Sequence, residues 1–149
     1  MKAAHFCSAF ALVALSLAPR LSLAATDREQ VIGDIRAVIK AQEAAWNRGH
    51  IDGFMNGYAR SNDTTFVSGP TTTRGWQTVR DRYKKKYDAR DKMGTLTFSA
   101  VQVTPESADS AVVSGKWKLG RKNDTPHGTF KLWFHKTAQG WRIVRDETK

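Results

Sequence analysis

The chain has 149 residues, with 24 Lys and Arg against 14 Asp and Glu, a net charge of +10 and one cysteine. That length suits one domain with a sizeable core and is short for two. A single cysteine excludes a disulfide framework, so the fold must rest on its core alone.

Residues 1–24 read as a leader rather than as part of that fold. Lys2 supplies a positive start, Phe6 to Ala18 runs without a charge, Pro19 ends any helix, and Ser22-Leu23-Ala24 offers small residues for cleavage. The pattern predicts a secretory signal peptide cut after Ala24, with Ala25 as the alternative, and one domain over 25–149, periplasmic or secreted. The apolar run falls short of the ~20 residues that cross a bilayer, so no stable membrane anchor is expected after cleavage. Losing Lys2 and Arg20 lowers the net charge from +10 to +8, and losing Cys7 removes any thiol nucleophile.

Thr26-Asp27-Arg28-Glu29 has the form of a capping box. Ile32, Ile35, Ile39, Gln42 and Trp46 follow at spacings of three and four, with Val38, Ala41 and Ala45 widening the stripe. This predicts an amphipathic helix of about five turns, stopped at Asn47-Arg48-Gly49. A shorter helix is expected from Asp52, carrying Phe54, Met55 and Tyr58 inward and ending near Ser61-Asn62-Asp63. Thr64 to Val67 reads as a short strand, turned at Ser68-Gly69-Pro70 into a β-prone Thr71 to Arg74. A third helix follows Gly75, with Trp76, Val79, Tyr83 and Tyr87 inward and a basic opposite side from Arg80 to Lys86.

From Thr95 the period becomes two. Leu96, Phe98 and Ala100 alternate with Thr97, Ser99 and Val101, then Val113, Gly115, Trp117 and Leu119 with Ser114, Lys116 and Lys118, and Phe130, Leu132 and Phe134 with Lys131, Trp133 and His135. A last strand spans Trp141 to Asp146. Four strands at hairpin spacing after three helices make an α+β plan, with an antiparallel sheet wrapped over the helices. Trp133 falls on the outer face with Lys131 and His135, which fits a homodimer packed sheet to sheet.

Three segments carry a resemblance: Ala45-Trp46-Asn47-Arg48-Gly49-His50-Ile51-Asp52-Gly53-Phe54, Arg74-Gly75-Trp76-Gln77, and Gly140-Trp141-Arg142-Ile143-Val144. In order and spacing the chain resembles the nuclear transport factor 2-like superfamily, in its exported, SnoaL-like branch. The resemblance implies a cone-shaped fold, usually dimeric, with three N-terminal helices on a strongly curved antiparallel sheet and a pocket between them. Relatives on that scaffold include isomerase-like and cyclase-like enzymes along with non-catalytic binding and assembly domains, and a fold does not choose among them. Members of the branch commonly end the last strand with Asp-His. Here the positions read Asp146-Glu147-Thr148-Lys149, so the histidine is missing.

Proton-transfer chemistry needs a base against an apolar wall and a donor for the developing oxyanion. Asp146, at the end of a strand bordering the expected pocket, is the candidate base, with Tyr58 and Tyr83 as candidate donors. Asp63 suits a turn better than a site. Tyr58, Phe66, Arg74, Trp76, Tyr83, Trp117 and Phe130 are the candidate ligand-binding residues, for a small hydrophobic or anionic molecule. His50, His127 and His135 lack partners at metal-ligand spacing, so no metal is expected, and no fingerprint for a cofactor is present. The Arg80 to Lys86 run reads as a solvated helix face, not a nucleic-acid surface, because its aromatics lie on the inward stripe. Three readings follow: an exported small-molecule-binding protein with an aromatic pocket, an isomerase- or cyclase-type enzyme using Asp146, and a dimeric assembly domain with a vestigial pocket.

Overall fold

The computed structural model describes residues 23–149, so the predicted leader lies almost wholly outside the described residues. Helix α1 spans Ala25–Asn47, α2 Ile51–Met55, α3 Trp76–Lys86 and α4 Arg90–Met93. The strands are β1 Thr65–Ser68, β2 Thr71–Arg74, β3 Thr95–Pro105, β4 Ser110–Gly120, β5 His127–Thr137 and β6 Gly140–Thr148. No helix among the described residues is long and apolar enough to cross a membrane.

Helix α1 buries Val31, Ile35, Ile39, Gln42, Ala45 and Trp46. The three-and-four stripe is therefore real, but it begins at Val31 and leaves Ala41 exposed. The capping box does not form. Alanines ahead of Thr26 favour helix, so the helix starts at Ala25, Ala24 takes the cap position without a side-chain bond, and Thr26 falls inside the first turn. At the other end Gly49 adopts φ +78°, a conformation that suits glycine, and turns the chain into α2. The second helix stops at Met55, earlier than its sequence suggests. Phe54, Met55 and Tyr58 are all buried, and Tyr58 leaves the helix to bridge Ile143 of β6. The short α4 was not anticipated; it carries Met93 under Trp46, whose indole N–H donates to the Met93 carbonyl at 3.2 Å.

The strands form one six-stranded sheet in the order β2-β1-β6-β5-β4-β3. The four long strands make an antiparallel meander, and the β1–β2 hairpin extends it through a parallel pairing of β1 with β6. Two bulges bend this sheet. In β3 the register jumps between Ser99 and Gln102, opposite Gly115, and Ala100 takes φ +50°. Ala100 is consequently exposed rather than inward, and the buried parity resumes at Val103. In β6 the register moves from Phe134 opposite Ile143 to Trp133 opposite Arg145, which leaves Val144 as the extra residue. Bulges increase local twist and redirect side chains, and here they curl the sheet over the helices.

The edge of β3 is closed by α1. Asn47 accepts the Leu96 N–H at 2.7 Å and donates to the Leu96 carbonyl at 2.9 Å, while Glu43 accepts the Phe98 N–H at 2.7 Å. These bonds occupy main-chain groups that an open edge would offer to another strand.

Candidate functional site

Between the curved sheet and the helices lies a partly open hollow of about 290 Å³. Its walls are mainly aromatic. Trp46 is the centre of one cluster, with ring centroids 5.1 Å from Phe54, 6.1 Å from Tyr83 and 4.8 Å from Tyr87. Phe66 lies 5.4 Å from Tyr83. Across the hollow, Phe98 and Phe130 meet edge to face at 5.3 Å. Gly115 makes room for that pair: a Cβ there would come within 2.5 Å of the Phe130 ring.

Asp146 is the one acidic side chain on these walls among the described residues. It is buried, between Phe66 of β1 and Leu132 of β5. Strand parity alone would have turned it away. Trp141 and Ile143 are inward, so an unbroken alternation would bring residue 145 inward and residue 146 out. The extra residue Val144 reverses the parity, leaving Arg145 exposed and Asp146 inside.

Each carboxylate oxygen accepts one hydroxyl. Tyr58 Oη donates to Oδ2 at 2.7 Å, and Thr148 Oγ1 donates to Oδ1 at 2.7 Å. Burial in this apolar setting raises the Asp146 pKa to about 6, against the lowering effect of the two hydroxyl bonds, with Glu147 adding a small upward push. Tyr58 and Tyr83 are both raised well above the ordinary tyrosine value, chiefly by burial and then by the Asp146 charge, so both phenols stay protonated. A carboxylate titrating near 6, with lone pairs left after its two bonds, can take or return a proton near neutral pH.

The sequence candidates fall into two places. Tyr58, Phe66, Tyr83, Trp117, Phe130 and Asp146 all line the hollow. Arg74 and Trp76 do not. Arg74 is exposed at the end of β2. Trp76 is half-buried against the end of α2, donating its indole N–H to the Met55 carbonyl at 3.0 Å beneath the guanidinium groups of Arg60 and Arg80. Asp63 is an exposed turn residue ahead of β1. Sequence reasoning missed Trp46, Tyr87 and Phe98 as lining residues, since an inward stripe cannot say which members face a solid core and which face a void. It also missed Thr148, whose only signal was a hydroxyl two residues beyond Asp146. Among the described residues no group of three His, Cys, Asp or Glu side chains is placed to hold a metal ion.

No protein-family model and no curated protein matches the sequence. Among solved structures, an NTF-2 like protein of unknown function from Shewanella oneidensis MR-1 is 35% identical, with a TM-score of 0.76, over 78% of this chain and 97% of that one. The chain belongs to the nuclear transport factor 2-like family. A family protein of unknown function from Pseudomonas putida KT2440 superposes with a TM-score of 0.68 at 14% identity, over 81% of this chain and 87% of that one. A candidate scytalone dehydratase from Novosphingobium aromaticivorans DSM 12444 gives 0.67 at 11% identity, over 83% and 86%. At those identities the likeness is one of fold. The cone fold of the family, with its helices inside a curved six-stranded sheet, is what these neighbours share with the chain.

Proposed function

We propose that the chain binds a small, mainly apolar ring compound in its aromatic hollow and moves a proton on it, with Asp146 as the acid–base group. One observation carries the reading: a buried carboxylate on an apolar cavity wall, raised to about 6 and held in orientation by Tyr58 and Thr148. A binding protein for apolar molecules gains nothing from a desolvated carboxylate, and an assembly domain would fill the cone. Bound substrate would displace water from around Asp146, sharpening its basicity toward a carbon or hydroxyl proton held within reach. Tyr83, which also lines the hollow and stays protonated, would serve as the donor to an oxygen of the substrate. The reaction class is therefore isomerisation, cyclisation or dehydration rather than hydrolysis through a covalent intermediate.

The test is proton exchange. A panel of ring ketones is incubated with the protein in heavy water, and incorporation of deuterium next to the carbonyl is followed by NMR. Asp146→Asn should abolish the protein-dependent exchange. Equal rates for the Asn variant and the native protein would refute the assignment. Native mass spectrometry of protein purified from its host identifies any co-purifying ligand.

We further propose export, with cleavage after Ala24, which would leave α1 starting at the first residue of the mature chain. N-terminal sequencing of the cell-fractionated protein tests it. The outer sheet face is proposed as a homodimer surface centred on Trp133. That ring is half-buried, with Lys131 Nζ 4.8 Å and the Arg145 guanidinium 5.6 Å from its centroid.

A further inference from the structure

Helix α3 divides its basic residues between two fates. Arg80 and Lys84, one turn apart, both reach Asp52, and these bonds hold that carboxyl at about 2. Arg82 and Lys86, also one turn apart, lie on the side of the hollow. Among the described residues neither has an acidic partner within ion-pair distance. Arg82 is nevertheless fixed. Its guanidinium stacks 4.9 Å above the Phe66 ring, and Nη1 donates to Thr73 Oγ1 at 2.7 Å. Lys86 lies with Nζ 5.3 Å from the centre of the Tyr87 ring. Both aromatic rings belong to the cavity wall, as do Ser68 and Gly69 of the β1–β2 turn.

Arg82 and Lys86 thus bring two cations without an acidic partner to the α3 side of the hollow, Lys149 adds a third at the end of the chain after β6, and the single acidic side chain of the lining, Asp146, is buried between β1 and β5. Arg82 keeps guanidinium N–H groups beyond the one given to Thr73, arranged as a fork that suits a carboxylate, sulfate or phosphate. An anion driven down to Asp146 would meet like charge in a dry setting, whereas a neutral ring would not.

We propose that the ligand of this cavity is an amphipathic organic anion: an apolar ring body lying in the aromatic throat with one carboxylate, sulfate or phosphate held by Arg82 and Lys86. This rests on the reading of the hollow as a binding site and adds the polarity and orientation of its occupant. The anionic end is anchored at α3, so the opposite, uncharged end of the ring system is the part presented to Asp146.

Two fluorescent probes sharing one ring system test it: anilinonaphthalene sulfonate, and its uncharged parent phenylnaphthylamine. Titrated at low ionic strength, the native protein should bind the sulfonate about tenfold or more tighter than the parent, a preference falling with added salt. The double variant Arg82→Gln/Lys86→Gln should lose that preference while keeping the parent's affinity, which also reports that the cavity is still folded. The control Arg36→Gln/Lys40→Gln, on the exposed side of α1, should retain it. Parent binding without a sulfonate preference would overturn the inference and leave the cavity reading standing. A preference lost equally in the α1 control would overturn it as well, by assigning the effect to overall charge. Failure of the native protein to bind either probe would overturn both readings.

Discussion

Asp146→Asn should stabilise the protein above neutral pH, by an amount that pH itself switches on. The native carboxyl has a pKa of about 6 against 3.8 for an unburied aspartate. Between those values the folded chain holds a proton that the unfolded chain has released, so stability falls as pH rises through this window. At 1.36 kcal/mol per unit the full effect is about 3 kcal/mol, developed between about pH 4 and pH 7 and constant above. Asparagine is nearly the same shape and carries no charge to desolvate. It can still accept from one of the Tyr58 and Thr148 hydroxyls and donate to the other. Urea unfolding at a series of pH values from 4 to 8 measures native and variant side by side, and the other titrating groups cancel in the difference. The difference should be small at pH 4 and grow to about 3 kcal/mol in favour of asparagine by pH 8. Tyr58→Phe removes a bond that favours the charged carboxylate, so its midpoint should move above the native one. A native-minus-variant difference that stays flat across the range would refute the buried, raised carboxylate and the acid–base role with it.

Trp46→Ala removes the ring at the centre of the aromatic cluster and the bond to Met93, and should cost about 3–5 kcal/mol in urea unfolding. Asn47→Ala leaves both main-chain groups of Leu96 without their partner, and a loss of about 1–3 kcal/mol is expected by thermal melting. The proposed dimer packs a face bearing Lys116, Lys118, Lys131 and Arg145 against its own copy, so light scattering should find association strengthened by salt and abolished by Trp133→Glu. A stable monomer at micromolar concentration in high salt would remove the dimer.

The order of elements was legible because periodicity is a direct imprint of which face is buried. The three-and-four spacing from Ile35 to Trp46 and the alternation from Val113 to Phe134 translated into helix and sheet with little loss. What periodicity could not supply is where it breaks. Ala100 was expected inward and is exposed, because a bulge inserts one residue in β3. Asp146 was placed near the pocket by position along the strand, yet its inward direction depends on Val144, an extra residue with no signature of its own. The capping box at Thr26 failed for a related reason: a local motif does not know that the residues before it are also helix formers. Arg74 and Trp76 were grouped with the cavity residues, but Arg74 is exposed at the end of β2 and Trp76 gives its indole N–H to the Met55 carbonyl, so neither reaches the lining. Sites lined from several elements are decided by how those elements cross, and that information is spread over the whole core.

The clamp of α1 on the β3 edge makes the two sides of the hollow unequal in stiffness. Asn47 and Glu43 tie Leu96 and Phe98 to the helix that also carries Trp46, so this wall is cross-linked by three hydrogen bonds. Helix α3, by contrast, leans on the short β1–β2 hairpin and on α2, through Arg82 to Thr73 and the pair of cations on Asp52. The α1–β3 wall is therefore the part that sets the shape a guest must fit, and α3 is the side whose contacts a bulkier guest would have to displace.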